Sequence, residues 1–301
     1  MSRAKRDVLV IDSGKSMARW EPEVQNYLGF PESISGERLV DYGWKQACAY
    51  GARFAGDKIL SARRTRPGRF SLRCQRRIYR CNRLLLATGI FHIPPSIPGI
   101  TRCLGHTMFF CKDCDGYRVQ GKRLAIYGWT NEAAEYALAM LIYVPSVALV
   151  TDTRAPRWTA RYTRLLQQYG IPVITERITR AVHLRKRLRA LHFAGRRDLP
   201  LDALFAMRGD IFMNKVAKAL GCKVDEEGQI EVNECKETSV KGVYAAGCVT
   251  PANCQMIIAA GQGATAAQAI NRDLFCESLK ARTLRPLGPG QRTAFRSRGL
   301  S

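Results

Sequence analysis

Short apolar runs that stop abruptly on an acid or on small residues set the terms on which this chain can fold. Val8-Leu9-Val10-Ile11-Asp12-Ser13-Gly14 reads as a buried strand closing on an acid and a turn. In a dinucleotide-binding sheet the second strand ends this way, its carboxylate accepting hydrogen bonds from a ribose, although an Asp ends many strands for no such reason. Leu84-Leu85-Leu86-Ala87-Thr88-Gly89 repeats the form with small residues at the stop, which leave room for the backbone to approach a ligand. Between the two, Ser35 is placed to cap a helix reaching about Tyr50, with Leu39, Tyr42, Gly43, Gln46 and Ala47 at helical period. From Gly51 to Leu86 the pattern is of short strands turning at Arg66-Pro67-Gly68, and Pro94, Pro95, Pro98 and Gly99 then make a stiff connector. A length of 301 residues allows about two domains, each able to bury a core without disulfide staples.

That connector leads to Cys111-Lys112-Asp113-Cys114-Asp115-Gly116-Tyr117. Thiols at this C-x-x-C spacing can close a small disulfide, one of them with a lowered pKa, and the acid directly behind them can move a proton. A structural zinc half-site would need a second thiol or imidazole pair, and the sequence has no other C-x-x-C and no H-x-x-x-H; His106 alone leaves the tetrahedron incomplete. The remaining reading is chance proximity in a chain with 11 Cys. That odd number, irregularly scattered, suits a reducing compartment in which most cysteines are small buried hydrophobes. No apolar run reaches membrane-spanning length. The basic start, Met1 to Arg6, passes into Asp7 and a strand-like run without the apolar core of a secretory signal, so the expected location is the cytoplasm.

The formal net charge of +23, from 48 Lys and Arg against 25 Asp and Glu, attracts anionic partners without specifying any. It is densest at Arg63 to Arg83, Arg177 to Arg197 and Lys280 to Arg298, and no nucleic-acid-binding motif organises it, so a solvated surface is the expectation. Further along, Val147 to Val150 reads as a strand ending at Thr151-Asp152, Leu165 to Tyr169 as helix, and Val173 to Glu176 and Ala181 to Phe193 as strands. Asp152 admits two readings, a ribose contact and a turn cap. No catalytic role falls to His92, His106, His183 or His192. The tail from about Leu279 is rich in Arg, Pro and Gly without apolar period, and disorder is expected there.

Leu84 to Gly89, the Ile97-Pro98-Gly99 turn and Cys111 to Gly116, in that order and at suitable spacing, resemble the low-molecular-weight thioredoxin reductases. Arg123-Leu124-Ala125-Ile126-Tyr127-Gly128-Trp129-Thr130-Asn131-Glu132-Ala133-Ala134-Glu135 resembles that family's second strand, phosphate-binding turn and helix. Gly242-Val243-Tyr244-Ala245-Ala246-Gly247-Cys248-Val249 resembles its closing flavin motif, followed by a small-residue helix from Gln255 to Ile270. The resemblance runs from about Val8 to Leu274 and implies an α/β fold of two Rossmann-like, three-layer nucleotide-binding domains. The FAD domain would be discontinuous, 1–115 and 242–278, with an NAD(P) domain inserted at 116–241 and a basic tail at 279–301. Electrons would pass from NADPH, or NADH, through FAD to the Cys111–Cys114 disulfide and on to a thioredoxin-like protein or a small disulfide. The implied assembly is a homodimer with no metal, no specific nucleic acid and no membrane. By the same resemblance Cys114 is the flavin-side thiol, Cys111 attacks the substrate disulfide, and Asp115 exchanges the proton. Asp12, Ala87, Thr88, Gly89, Gly247, Cys248 and Gln255 fall on flavin positions, and Gly128, Thr130, Asn131, Glu132 and Ala133 on positions of the nicotinamide nucleotide.

The departures from the family pattern carry their own expectations. The sequence starts at what should be the second strand, without the strand, G-x-G-x-x-G turn and helix whose amides hold the FAD pyrophosphate; weak flavin binding and a displaced start site follow as expectations. Thr130 takes the place of the middle Gly of the nicotinamide turn and intrudes on the pyrophosphate, while Gly128 and Ala133 keep the turn and its packing. Asp152 suits a ribose hydroxyl better than a 2′-phosphate, for which Arg154 and Arg157 can compensate. Cys248 replaces an Asp with a weak acceptor, and inert packing rather than a second dithiol is expected of Cys248 and Cys254. Two other readings stay open: a dithiol oxidase of the same family that uses oxygen without nicotinamide, and a degenerate, non-catalytic flavoprotein remnant retained as a basic binding protein.

Overall fold

The computed structural model describes residues 1–284. Leu9–Asp12 (β1) pairs in parallel with Arg53–Gly56 (β2), and helix Gly36–Ala49 (α1) connects them. Ser35 caps α1 as its position suggests, its hydroxyl accepting from the Arg38 N–H at 3.3 Å. Ile59–Arg66 (β3), Arg69–Cys74 (β4) and Ile78–Cys81 (β5) form an antiparallel meander that buries Phe70, Leu72 and Cys74. Its arginines Arg63, Arg64, Arg66, Arg69, Arg73 and Arg80 are exposed, whereas Arg83, at the end of the same basic stretch, is buried in ion pairs with Asp273 and Glu277. Leu84–Leu86 (β6) and Ile90–His92 (β7) lead out of this first unit.

The second unit opens with Met108–Phe109 (β8) and a short helix, Lys112–Asp115 (α2). Arg123–Tyr127 (β9), Asn131–Met140 (α3), Ser146–Val150 (β10), Ala160–Gln168 (α4) and Val173–Ile174 (β11) alternate strand and helix. Ile178–Leu184 (β12), Arg187–Phe193 (β13) and Leu199–Pro200 (β14) form an antiparallel sheet, and Ala203–Ala206 (β15) returns to the first one. The five parallel strands stand in the order β11-β10-β9-β15-β8. Successive side chains point to opposite faces of a strand, and here both faces are apolar. Leu124, Ile126, Val147, Leu149 and Phe205 pack under the helices with Ala133, Ala137, Met140 and Leu166. Ala125, Tyr127, Ala148, Val150 and Leu204 meet Leu188, Leu191 and Phe193 of the antiparallel sheet. The result is three layers, helices on one face and a second sheet on the other.

Asp210–Phe212 (β16) then comes back antiparallel to β7, Lys215–Ala219 (α5) follows, and Val243–Ala245 (β17) pairs in parallel with β6. Helix Met256–Lys280 (α6) closes the described chain. The architecture is the expected α/β one, two Rossmann-like units with the second inserted into the first.

β1 departs from the expectation of a buried strand. All of Leu9, Val10, Ile11 and Asp12 are half-buried, because β1 has a ladder partner on one side only. β6 and β17 make a separate pair, and among the described residues no strand joins the two pairs. Ile11 nonetheless reaches the core that Leu84, Leu86, Val243 and Ala245 share with Phe70 and Leu72. The same openness shows on α6, where only Ala266 and Ile270 of 25 residues are buried. The expected tail starts later than the sequence suggests, since Leu279 and Lys280 still belong to α6; most of it lies outside the described residues. Among the described residues no helix is long and apolar enough to cross a membrane.

Candidate redox site

β8 lies at one edge of the five-stranded sheet, and where it ends Cys111 becomes the N-cap of α2. The sulfurs of Cys111 and Cys114 are bonded to each other across a Cα–Cα distance of 5.3 Å, and both residues are half-buried. The Cys114 N–H donates to Cys111 Sγ at 3.2 Å, a contact that favours a thiolate on Cys111 once the bridge opens. Asp115 is 5% exposed, and its carboxylate accepts from Arg118 at 2.7 Å. Arg118 in turn donates to the Gly105 carbonyl at 3.1 Å and lies 3.4 Å from Glu23. Burial pushes the Asp115 carboxyl above its ordinary value, while Arg118 pulls it down. Directly behind, a Cβ on Gly116 would sit 2.5 Å from the Lys112 carbonyl oxygen and 2.8 Å from the Tyr143 ring, so the turn requires Gly.

Sequence reasoning missed three neighbours of this pair. Arg118 stands three residues beyond Asp115, a helical spacing that the residue order alone discloses. Glu21 and His92 come from far along the chain and carry no sequence signal. Burial raises the Glu21 carboxyl to about 7, helped by the charge of Asp115 and opposed by Arg118 and His92. His92 stacks on Phe110 with ring centroids 4.6 Å apart, and its Nδ1 lies 2.5 Å from Asp210 Oδ1. The disulfide is thus backed by a compact group of acids and bases rather than by Asp115 alone.

A second set of residues gathers where β9 turns into α3. A Cβ on Gly128 would lie 2.6 Å from Ala133 Cβ and 2.9 Å from the Met207 carbonyl oxygen, so Gly128 sets how closely strand and helix approach. Thr130 is the N-cap of α3 and makes no side-chain cap bond, which leaves the first amides of that helix without a side-chain acceptor. Asn131 Oδ1 accepts from the Thr159 N–H at 2.8 Å, Glu132 is exposed and Ala133 is buried. The Arg154 guanidinium lies 5.2 Å from the Trp129 ring centroid. Asp152 is committed to the protein: its two oxygens accept from the Tyr127 hydroxyl at 3.2 Å and the Ile178 N–H at 2.8 Å, as a turn cap does. Uncapped amides with arginine beside them fit a nicotinamide dinucleotide.

The third set lies at the ends of β6 and β17. The Ala246 N–H donates to the Leu86 carbonyl at 3.0 Å, so Ala87-Thr88-Gly89 and Gly247-Cys248 leave the sheet at one end. Ala87 and Thr88 are exposed, Thr88 Oγ1 donates to the Met213 carbonyl at 2.7 Å, and no atom lies within 4 Å of a Cβ built on Gly89. Gln255 is the N-cap of α6 and makes no side-chain cap bond. Asp12 stands at the end of β1, where its Oδ1 accepts from the Gly14 N–H at 2.8 Å. These residues would hold part of a flavin nucleotide but do not fit the whole of FAD. Beyond Gly14 the chain forms a short 3-10 turn, and among the described residues no Gly-rich strand-to-helix turn in this unit offers its amides to a pyrophosphate.

Cys248 and Cys254 overturn the expectation of inert packing, because their sulfurs are bonded to each other. The loop between them folds back when the Thr250 N–H donates to the Gly247 carbonyl at 2.9 Å, which brings the two Cα atoms to 5.0 Å.

A family model described as pyridine nucleotide-disulphide oxidoreductase matches residues 1–270. The thioredoxin reductase of Bacillus subtilis is 26% identical over 283 residues, 89% of this chain and 87% of that protein. The thioredoxin reductase of Treponema pallidum is 28% identical over 278 residues, 89% of each. Among solved structures, HlmI superposes with a TM-score of 0.88 at 26% identity, covering 99% of this chain and 92% of its own.

Proposed function

Because this chain belongs to the pyridine nucleotide-disulphide oxidoreductase family, we propose that its reaction is dithiol–disulfide exchange at Cys111 and Cys114, on a thioredoxin-like protein or a small disulfide. It is a thioredoxin-reductase-like oxidoreductase. The observation that carries the proposal is the Cys111–Cys114 bridge backed by the buried Asp115.

In the reduced chain the Cys111 thiolate, favoured by the Cys114 N–H, attacks one sulfur of the substrate disulfide. A mixed disulfide forms and the other substrate sulfur leaves as a thiolate, taking the Cys114 thiol proton through the Asp115 carboxylate. Cys114, as thiolate, then attacks Cys111 Sγ. The second substrate sulfur departs as a thiolate and takes a proton from water while the bridge is restored, so two electrons pass from chain to substrate.

The family uses FAD and NAD(P)H. We assign the nicotinamide nucleotide to the turn Gly128–Ala133, its phosphates facing the first amides of α3, and Arg154 to a 2′-phosphate, which favours NADPH over NADH. The nicotinamide-type unit of this proposal runs from β8 to β15 rather than over 116–241, and the flavin-type unit takes in the chain up to β7 and again from β16, where Val216, Ala217, Cys222 and Ile230 join the core of Phe70, Leu84 and Leu86. The thiol–disulfide steps involve only the sulfurs and Asp115, and the described residues do not fit all of FAD.

Two measurements test the proposal. In the oxidised full chain, Cys111 and Cys114 should resist alkylation until a mild dithiol is added, as read by mass spectrometry; free alkylation of both under oxidising conditions would overturn it. Thr130→Gly should tighten NADPH binding several-fold in fluorescence titration, since it removes a β-branched side chain that makes no cap bond. Equal affinities would remove the pyrophosphate from this turn.

A further inference from the structure

We propose that Cys248–Cys254 is a second redox-active disulfide, which accepts two electrons from a small dithiol or a dithiol protein by exchange at the Cys254 sulfur. The bridge joins residues six apart in sequence, one three residues past β17 and the other beside the N-terminus of α6. It therefore lies at the carboxyl ends of the parallel pair β6 and β17, the side of an α/β sheet that receives ligands.

The two sulfurs stand in different surroundings. Cys248 is half-buried between Gly247 and the fully buried Val249. Pro251, Ala252, Asn253 and Cys254 are all exposed, so an incoming thiolate meets Cys254 first. In the Cys111–Cys114 pair, by contrast, both residues are half-buried. Access governs which disulfide sulfur is attacked as much as intrinsic reactivity does.

The loop does not depend on the bridge for its shape at the Cys248 end. Gln262 of α6 accepts from the Gly247 N–H at 2.7 Å and from the Thr250 hydroxyl at 3.2 Å, and the Thr250 hydroxyl lies 2.9 Å from the Gly247 carbonyl. Opening the disulfide leaves Cys248 pinned by these bonds while Cys254 remains on the free limb, so the pair can close again. The 25-residue α6 has no acid in its first turn and no side-chain cap, which leaves its positive end to stabilise a Cys254 thiolate.

A thiolate of the dithiol attacks Cys254 Sγ, the Cys254–Cys248 bond breaks, and Cys248 leaves as a thiolate that takes up a proton. The dithiol's second thiolate then attacks its own sulfur in the mixed disulfide and releases Cys254. The dithiol ends as a disulfide and the chain as two thiols. None of this requires nicotinamide or flavin, so it stands apart from the reaction assigned to Cys111 and Cys114.

The decisive experiment equilibrates the oxidised full chain anaerobically with graded ratios of reduced to oxidised dithiothreitol, alkylates it, and quantifies each cysteine peptide. Cys248 and Cys254 should gain label together and lose it again on return to the oxidised reagent. If they stay unlabelled at ratios that fully label Cys111 and Cys114, the bridge is a structural staple and the proposal is wrong. When the oxidised chain is treated briefly with reduced glutathione, a monothiol, and quenched in acid, the mixed disulfide should be found on Cys254 about tenfold more often than on Cys248. Equal occupancy of the two would sink the assignment of Cys254 as the attacked sulfur.

Discussion

Cys111→Ser should lower thiol release from a small aromatic disulfide or oxidised thioredoxin by at least about a thousandfold, since a hydroxyl neither attacks sulfur nor forms the mixed disulfide. Cys114→Ser should stop turnover as completely but differently. It retains the attacking thiol and loses the one that resolves the intermediate, so it should accumulate substrate bound to Cys111 in a stable mixed disulfide. Cys111→Ser should accumulate none. The structure supports this asymmetry through one bond, the Cys114 N–H donated to Cys111 Sγ, which offers Cys111 alone a backbone donor for its thiolate. Trapping at Cys114 rather than at Cys111 would reverse the two roles. Turnover in Cys111→Ser at more than a tenth of the original rate would move the reaction away from this pair.

Glu21→Gln should stabilise the protein at pH 8 by about 2 to 3 kcal/mol and leave it nearly unchanged at pH 4, at about 1.36 kcal/mol per pKa unit. Burial lifts this carboxyl from 4.5 to about 7, with Asp115 adding to the rise. The folded chain therefore holds a proton on Glu21 that the unfolded chain gives up. Stability contributed by the neutral acid is fully present below about 4.5, declines as pH rises, and is gone once the folded group ionises above about 7. Glutamine keeps the shape and removes the titration. Urea unfolding of both proteins at the two pH values isolates the effect of Glu21 together with the groups coupled to it, because the remaining groups titrate alike in each. A difference between variant and parent that is the same at pH 4 and pH 8 would mean that Glu21 is not held neutral by its surroundings.

What the sequence discloses here is what short-range order determines. Ser35 caps α1 because a hydroxyl reaches an amide three residues on, and Val147 to Val150 is a strand because both faces of it find apolar cover. The Cys111–Cys114 bridge belongs to the same class, since its spacing alone brings the sulfurs together. The burial of β1 could not be read from its composition, because it depends on how many neighbours the strand has. Cys248 and Cys254 become partners only when a loop folds back on bonds to Gln262. Asp152 was ambiguous until Tyr127 and Ile178 were seen to hold its carboxylate. Glu21 and His92 join the redox site through packing between distant segments, which no local pattern records.

The way α6 is tied down sets an order of events in time. Arg6 bonds to Asn271 across 265 residues, and the buried Arg83 bonds to Asp273 across 190 and pairs with Glu277. Among the described residues β6 finds its only ladder partner in β17, whose first residue is Val243. During synthesis the five-stranded sheet, built from residues 108–206, has every strand it needs before any of these closures can form. The inserted unit is thus free to fold as it emerges, and the unit around it must hold Leu84, Leu85 and Leu86 without this partner until Val243 to Ala245 has been made. For that interval the apolar stretch ahead of Ala87 is the segment most in need of a chaperone, and slowing synthesis after Ala206 lengthens its exposure.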